Sequence, residues 1–236
     1  MATPKYATLK GDFFIKEKGS AENFYFFGNS QEATFEMGIE KATLESSGNE
    51  RGTLASEETS RTATFSMTPN SLATRNLKLY FYSKGSETQA SATDQAFTLP
   101  AMVEGEMFRF AHVNVTNVNI EDLVAGTDYK VLAKGGALVA MKTIVAGKEG
   151  TYDAAGATKV GVFTGDGMEY EVYYVSEKTG KTVHFRRWKP DPAQSVALIG
   201  NDFASFPLSG ECLIDESIPE GPLGRFAVVT DATDIA

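Results

Sequence analysis

Two stretches of strict alternation constrain this chain more than anything else in it. Over residues 31–41, Ala33, Phe35, Met37 and Ile39 fall on one side, and Glu32, Thr34, Glu36 and Glu40 on the other. Over residues 61–68, Ala63, Phe65 and Met67 oppose Thr62, Thr64, Ser66 and Thr68. A period of two belongs to a strand with one packed and one wet face, and a helix cannot satisfy it. The two stretches read as the strands of one long hairpin. The connection between them, 45–58, is polar and bears glycine. It is far longer than the roughly two to five residues of a tight hairpin turn, so a role of its own is expected of it.

The rest of the chain continues in the same idiom. Phe24-Tyr25-Phe26-Phe27 is an aromatic strand that stops at Gly28-Asn29. Further strands are expected at 97–99, 107–117, 128–132, 138–144, 159–163, 170–175, 182–188, 194–199 and 206–214. Gly135-Gly136, Gly165-Asp-Gly167 and Lys178-Thr-Gly180 supply turns. One helix is predicted, with Thr68 as N-cap and Pro69 at its first position, ending by Gly85. The run Leu77-Lys-Leu-Tyr-Phe-Tyr82 reads alternatively as a strand, and the cap favours the helix. No Pro-rich or Gly/Ser-rich linker divides the 236 residues. The reading is one elaborated β domain over 1–236, with 86–165 as a candidate insertion and 216–236 as a C-terminal extension.

Composition narrows the function. A net charge of -9 and a pI of 4.9 argue against a phosphate-binding surface. One cysteine, Cys212, permits neither an internal disulfide nor a CxxC metal or redox motif. No apolar stretch is long enough to span a membrane, and Met1-Ala-Thr-Pro-Lys-Tyr6 has no signal-peptide core, so cytosolic synthesis without a membrane anchor is expected. Asn114-Val115-Thr116 then reads as a chance glycosylation match. The two histidines, His112 and His184, sit in expected strands with no carboxylate at ligand spacing. No HExxH, P-loop or GxSxG motif is present. Cys212 alternates within an apolar strand and reads as core. No catalytic residue, metal or cofactor is expected, and the chain is not expected to be an enzyme.

Charge pattern suggests self-association instead. Lys178, Lys181, His184, Arg186, Arg187 and Lys189 form a basic cluster. The segment after Asn201 holds Asp202, Glu211, Asp215, Glu216, Glu220, Asp231 and Asp234 against Arg225 alone. Complementary patches on one chain suit head-to-tail contact, with Lys181, Arg186 and Arg187 as subunit-contact residues. Glu32, Glu36 and Glu40 share a strand face with no cation between them, which fits the negative inner wall of a ring.

The order of these segments resembles a known family. The aromatic strand and acidic hairpin are followed by Phe65-Ser-Met-Thr-Pro-Asn-Ser-Leu72, then by Val124-Ala-Gly-Thr-Asp-Tyr-Lys-Val131 and Gly135-Gly136. Next come Tyr170-Glu-Val-Tyr-Tyr-Val175, Lys178-Thr-Gly-Lys-Thr-Val-His-Phe-Arg-Arg-Trp188, Ala197-Leu-Ile-Gly-Asn-Asp-Phe203 and Leu208-Ser-Gly-Glu-Cys-Leu-Ile-Asp215. Together they resemble the major tail tube protein of long-tailed bacteriophages. The likeness runs from about residue 9 to residue 215 and rests on segment order. It departs at the helix, where Lys78, Tyr80, Phe81 and Tyr82 stand in place of a run rich in Ala and Leu.

The resemblance implies a mainly β fold, a sandwich or barrel with long loops, flanked by one α-helix. It implies hexameric rings stacked into a hollow tube in the virion, assembled in the bacterial cytoplasm, with DNA passing through unbound. The partners it implies are further copies of the chain, a tape measure protein, a tail terminator and distal tail or baseplate proteins. Glu32, Glu36 and Glu40 would line the lumen. Glu45, Asn49, Glu50, Arg51, Glu57 and Glu58 would reach a neighbouring ring or subunit, ordering on docking. Two other readings stand beside it: a virion decoration or carbohydrate-binding β-sandwich, and a tube protein of a contractile tail or secretion system.

Overall fold

The computed structural model describes residues 10–47 and 52–232. Its elements are β1 (Asp12–Glu17), β2 (Tyr25–Gly28), β3 (Ser30–Glu45), β4 (Thr53–Pro69), α1 (Thr74–Tyr80), β5 (Ser86–Gln89), β6 (Ala92–Leu99), β7 (Met107–Arg109) and β8 (Val115–Ile120). They continue with β9 (Tyr129–Leu132), β10 (Ala137–Ala140), β11 (Lys148–Ala154), β12 (Ala157–Val160), β13 (Tyr170–Ser176), β14 (Lys181–Pro190), β15 (Leu208–Cys212) and β16 (Ala227–Asp231). Among the described residues the fold is mainly β with a single short α-helix. The chain divides into two compact units, one made of Met1–Gly85 with Gly161–Ala236, the other of Ser86–Val160.

The first unit is built on one sheet of order β2-β1-β13-β14-β15-β4-β3. The far edge of β14 is shared: Lys181–Phe185 pair with β16, and Trp188–Pro190 pair with β15. Alternation along the strands delivers Phe13, Ile15, Phe65, Met67, Val172, Phe185 and Leu208 to one core. Phe65 is its hub, stacked on Phe185 at 4.4 Å and edge-on to Trp188 at 5.3 Å. Trp188 is fully buried, and its indole N–H donates to the Phe65 carbonyl at 3.1 Å.

α1 closes this core. It buries Tyr80, which stacks on Phe206 at 4.4 Å, and Asn76, whose amide donates to the Phe27 carbonyl at 2.7 Å. The helix starts five residues later than the Thr68-Pro69 cap predicts, with Ala73 as N-cap and no side-chain cap bond. Thr68 and Pro69 end β4 instead. The Thr68 N–H donates to Ser30 Oγ, and Pro69 pairs with Ser30 where the ladder no longer needs a donor. Pairing on both sides of β4 outweighs a local capping preference worth about 1 kcal/mol.

The expected strand at 194–199 is absent. Residues 191–206 form a loop pinned at its ends by Ala193 N–H to Tyr80 O and Phe206 N–H to Pro69 O. Ala193, Val196 and Ala204 pack on the core, and no neighbouring strand offers a ladder. Leu198, Ile199 and Phe203 are left 91%, 97% and 83% exposed.

The second unit holds three small sheets, β7-β10-β9, β6-β11-β8 and β12-β5, so the expected strand over 107–117 is two strands, β7 and β8. Its core is Leu99, Phe110, Val115, Tyr129, Leu138, Ile144 and Tyr152. Buried Gln89 is saturated, donating to Val113 O and Ala155 O and accepting from Val113 N–H. The Gly135-Gly136 turn joins β9 to β10, and Gly136 sits at φ +64, where a Cβ would lie 2.1 Å from the His112 carbonyl oxygen. Glycine is therefore required there both conformationally and sterically.

Candidate functional site

The feature that stands out is the β3–β4 hairpin. β3 runs 16 residues and β4 runs 17, which at about 3.3 Å per residue is about 50 Å of ladder. The core uses only its root. Ala63, Phe65 and Met67 are buried and Phe35 is half-buried. Beyond Ala63 the arm is exposed on both faces, apart from half-buried Ser60. Met37 and Ile39 continue the apolar face of Phe35 but are 76% and 54% exposed. Among the described residues β3 pairs only with β4, so its other edge offers free backbone donors and acceptors.

The polar face carries the three carboxylates singled out above. Glu36 pairs with Thr64 and Glu40 with Ser60, whose hydroxyl donates to Glu40 at 2.9 Å. Glu32 and Glu36 line an open groove of about 290 Å³ together with Ser66, Thr68, Gln194 and Ser209. The cations of the arm stand on the other face: Arg61 opposes Ile39, and Lys41 opposes Glu58. Among the described residues no cation pairs with Glu32, Glu36 or Glu40.

The connection is shorter than 45–58. Glu45 is the last residue of β3, and Glu57 and Glu58 lie inside β4, opposite Ala42 and Lys41. The linking residues are 46–52, and Asn49, Glu50 and Arg51 lie outside the described residues. A polar sequence forms a strand here because backbone bonds build the ladder, while Thr43–Ser56 and Lys41–Glu58 make favourable cross-strand pairs. Glu58 is committed to Arg61 at 2.8 Å, and that bond holds its carboxyl below the ordinary range.

Part of the basic cluster is engaged within the protomer, while Lys178 and Lys189 are exposed. Arg187 grips Glu169 with two bonds of 2.5 and 2.8 Å and donates to the Ile214 carbonyl. Lys181 is 3.7 Å from Asp231, and Lys189 pairs in register with Glu211. The acidic tail supplies β15 and β16, which add to the edge of β14 and bring Asp231 to Lys181 and Glu211 opposite Lys189. Arg186 is half-buried, and its Nε has no hydrogen-bond partner. His184 lies 3.4 Å from Glu171 Oε2, and burial lowers its pKa.

The chain belongs to a family. Its description is Protein of unknown function UCP028589, and the match spans residues 6–230. A search of curated proteins gives no match.

Cys212 is buried, and burial pushes its thiol up to about 12, which suits packing rather than attack. Among the described residues no three His, Cys, Asp or Glu side chains gather as metal ligands, and no helix is long and apolar enough to cross a membrane. Met37 and Ile39 were legible only as a packing face. The length of the alternation was the overlooked signal, because strands of single domains commonly run about 5–6 residues.

Asp215 is the tail's main internal anchor. Its buried carboxylate accepts from Lys18 Nζ at 2.6 Å, Ser217 Oγ at 2.6 Å and Ser217 N–H at 3.1 Å, and these bonds, that to Lys18 above all, lower its pKa to about 2. A depressed carboxylate stabilises the fold above its unfolded pKa of about 4, and the gain is lost as pH falls through about 2. The effect should be about 2 kcal/mol. Urea midpoints measured from about pH 5 to about pH 2 should fall more steeply for the wild type than for Asp215→Asn. Equal slopes would show that the anchor contributes nothing.

Proposed function

We propose that this chain is the structural subunit of a bacteriophage tail tube, built of stacked rings around a lumen that conducts DNA. One observation carries the reading: the β3–β4 arm leaves the core exposed on both faces, with an open edge and Met37 and Ile39 bare. A long open edge beside bare apolar side chains is a liability in a monomer and an adhesive in an oligomer. Strands added edge to edge between protomers complete its hydrogen bonds and cover its apolar side. The opposite side, bearing Glu32, Glu36 and Glu40, then faces the lumen. Phosphates are repelled there, so DNA passes without sticking. The segment order that resembles tail tube proteins supports the same reading, and with it a place in the virion and contacts with tape measure, terminator and distal tail proteins.

The test is negative-stain electron microscopy of concentrated protein. Rings or hollow tubes of uniform width are expected. A preparation that stays monomeric across a full concentration series overturns the proposal. Combining Glu32→Lys, Glu36→Lys and Glu40→Lys should preserve tubes and make them bind duplex DNA with a steep salt dependence. If wild-type tubes bind DNA equally, these carboxylates do not line the lumen.

A further inference from the structure

We infer that the far end of the β3–β4 arm seats in a cationic cleft of a second copy of this chain, beside α1. The inference rests on the self-assembly reading and names the surface that receives the arm. The cleft is open, has a volume of about 280 Å³, and is lined by Tyr25, Met168 and Tyr170 with Lys78, Lys84 and Arg75 at its sides. Its other charges are largely spent. Arg75 pairs with Glu22 and lies 4.8 Å over the Tyr25 ring, and Lys16 pairs with Glu171 at 3.3 Å. Glu17 is the remaining carboxylate of the lining. Among the described residues Lys78 and Lys84 have no carboxylate partner. A mainly polar cleft with two uncommitted lysines beside Tyr25, Met168 and Tyr170 is conspicuous on a chain of net charge -9.

The arm offers the complement. Near its end Leu44 and Leu54 are 62% and 67% exposed. Glu45 and Glu57 are exposed, and among the described residues neither has a cation partner. The arm's end, with Leu44 and Leu54 and with Glu45 and Glu57 on its two faces, is complementary in kind to Tyr25, Met168 and Tyr170 and to the two free ammoniums of the cleft. Arm and cleft are different surfaces of one chain, so the contact is heterologous and propagates from copy to copy. The arm's own cations do not oppose this: Arg61 is taken by Glu58, and Lys41 faces that same carboxylate across the ladder.

A charge swap tests this. Lys78→Glu with Lys84→Glu should abolish tube formation while leaving circular dichroism unchanged. Glu45→Lys with Glu57→Lys should do the same. All four substitutions in one chain should restore tubes, as read by sedimentation velocity and electron microscopy. Should a reversed pair disturb folding, Lys78→Gln with Lys84→Gln should weaken assembly and flatten its salt dependence. If the wild type assembles but the lysine variants assemble equally well, or the fourfold swap does not rescue, the cleft is not the arm's seat, and the tube reading survives. If the wild type never assembles, the tube reading itself fails.

Discussion

Replacing Met37 and Ile39 together by lysine should yield a folded protomer that no longer polymerises. Both side chains are more than half exposed in the protomer, so their loss removes little from the core. Surface changes of this kind usually shift stability by less than about 0.5 kcal/mol. In the proposed assembly the same side chains would be covered, and completing their burial would contribute on the order of 1–2 kcal/mol each. Two lysines forfeit that gain and must also be desolvated. Because every protomer carries the defect, the loss recurs at each interface. Sedimentation velocity should show a single slow species, with a melting curve like the wild type's. Tubes formed by this variant at the wild-type critical concentration would sink the idea that this face is an interface.

The second large effect is on stability. Trp188→Ala should destabilise the first unit by about 3–5 kcal/mol, the range for removing a buried aromatic from a packed core. The side chain is fully buried beside Phe65, and removing it also orphans the Phe65 carbonyl that its indole N–H satisfies. Trp188→Phe keeps most of the volume and loses the N–H, so a loss nearer 1–3 kcal/mol is expected. Urea unfolding followed by circular dichroism measures both. Trp188 is the only tryptophan, so wild-type fluorescence reports the first unit alone, and a separate transition in circular dichroism would expose the second. A loss below about 1 kcal/mol for Trp188→Ala would mean that the site collapses without cost.

Some of this molecule was legible from residue order and some was not. The hairpin announced itself because alternation is a local property, and Phe35, Phe65 and Met67 do face the core. The lateral reach of that core is not local, so the same pattern could not say where packing stops and Met37 begins to stand bare. The polar stretch around Glu57 reads as loop because polarity alone does not distinguish a loop from a ladder, which needs only backbone groups. The Thr68-Pro69 signal is local and places the helix too early, while the contacts that claim those residues come from Ser30, which accepts from Thr68 N–H and pairs with Pro69, and from Phe206, whose N–H donates to the Pro69 carbonyl. Arg187 and Lys181 read as spare charge because their partners Glu169 and Asp231 lie 18 and 50 residues away and meet them only through strand pairing. The candidate seat for the arm, with Lys78 and Lys84, gathers residues from β1, β2, α1 and β13, and no spacing within one segment signals it.

The shared edge of β14 sets a timetable for synthesis. The second unit is one continuous stretch, Ser86–Val160, and its strands can pair while the ribosome is still working. The large sheet cannot do likewise. β1 waits for β13, β4 waits for β15, and β14 is not fully flanked until β15 and β16 have emerged. Such long closures make the sheet the slow, late event of folding. Until that moment the arm has no ordered root, and its open edge is not held in the geometry a partner would need. In the proposed assembly the protomer would become adhesive only once β16 is in place, and unfinished chains would be kept out of a growing polymer by the order in which the sheet is stitched.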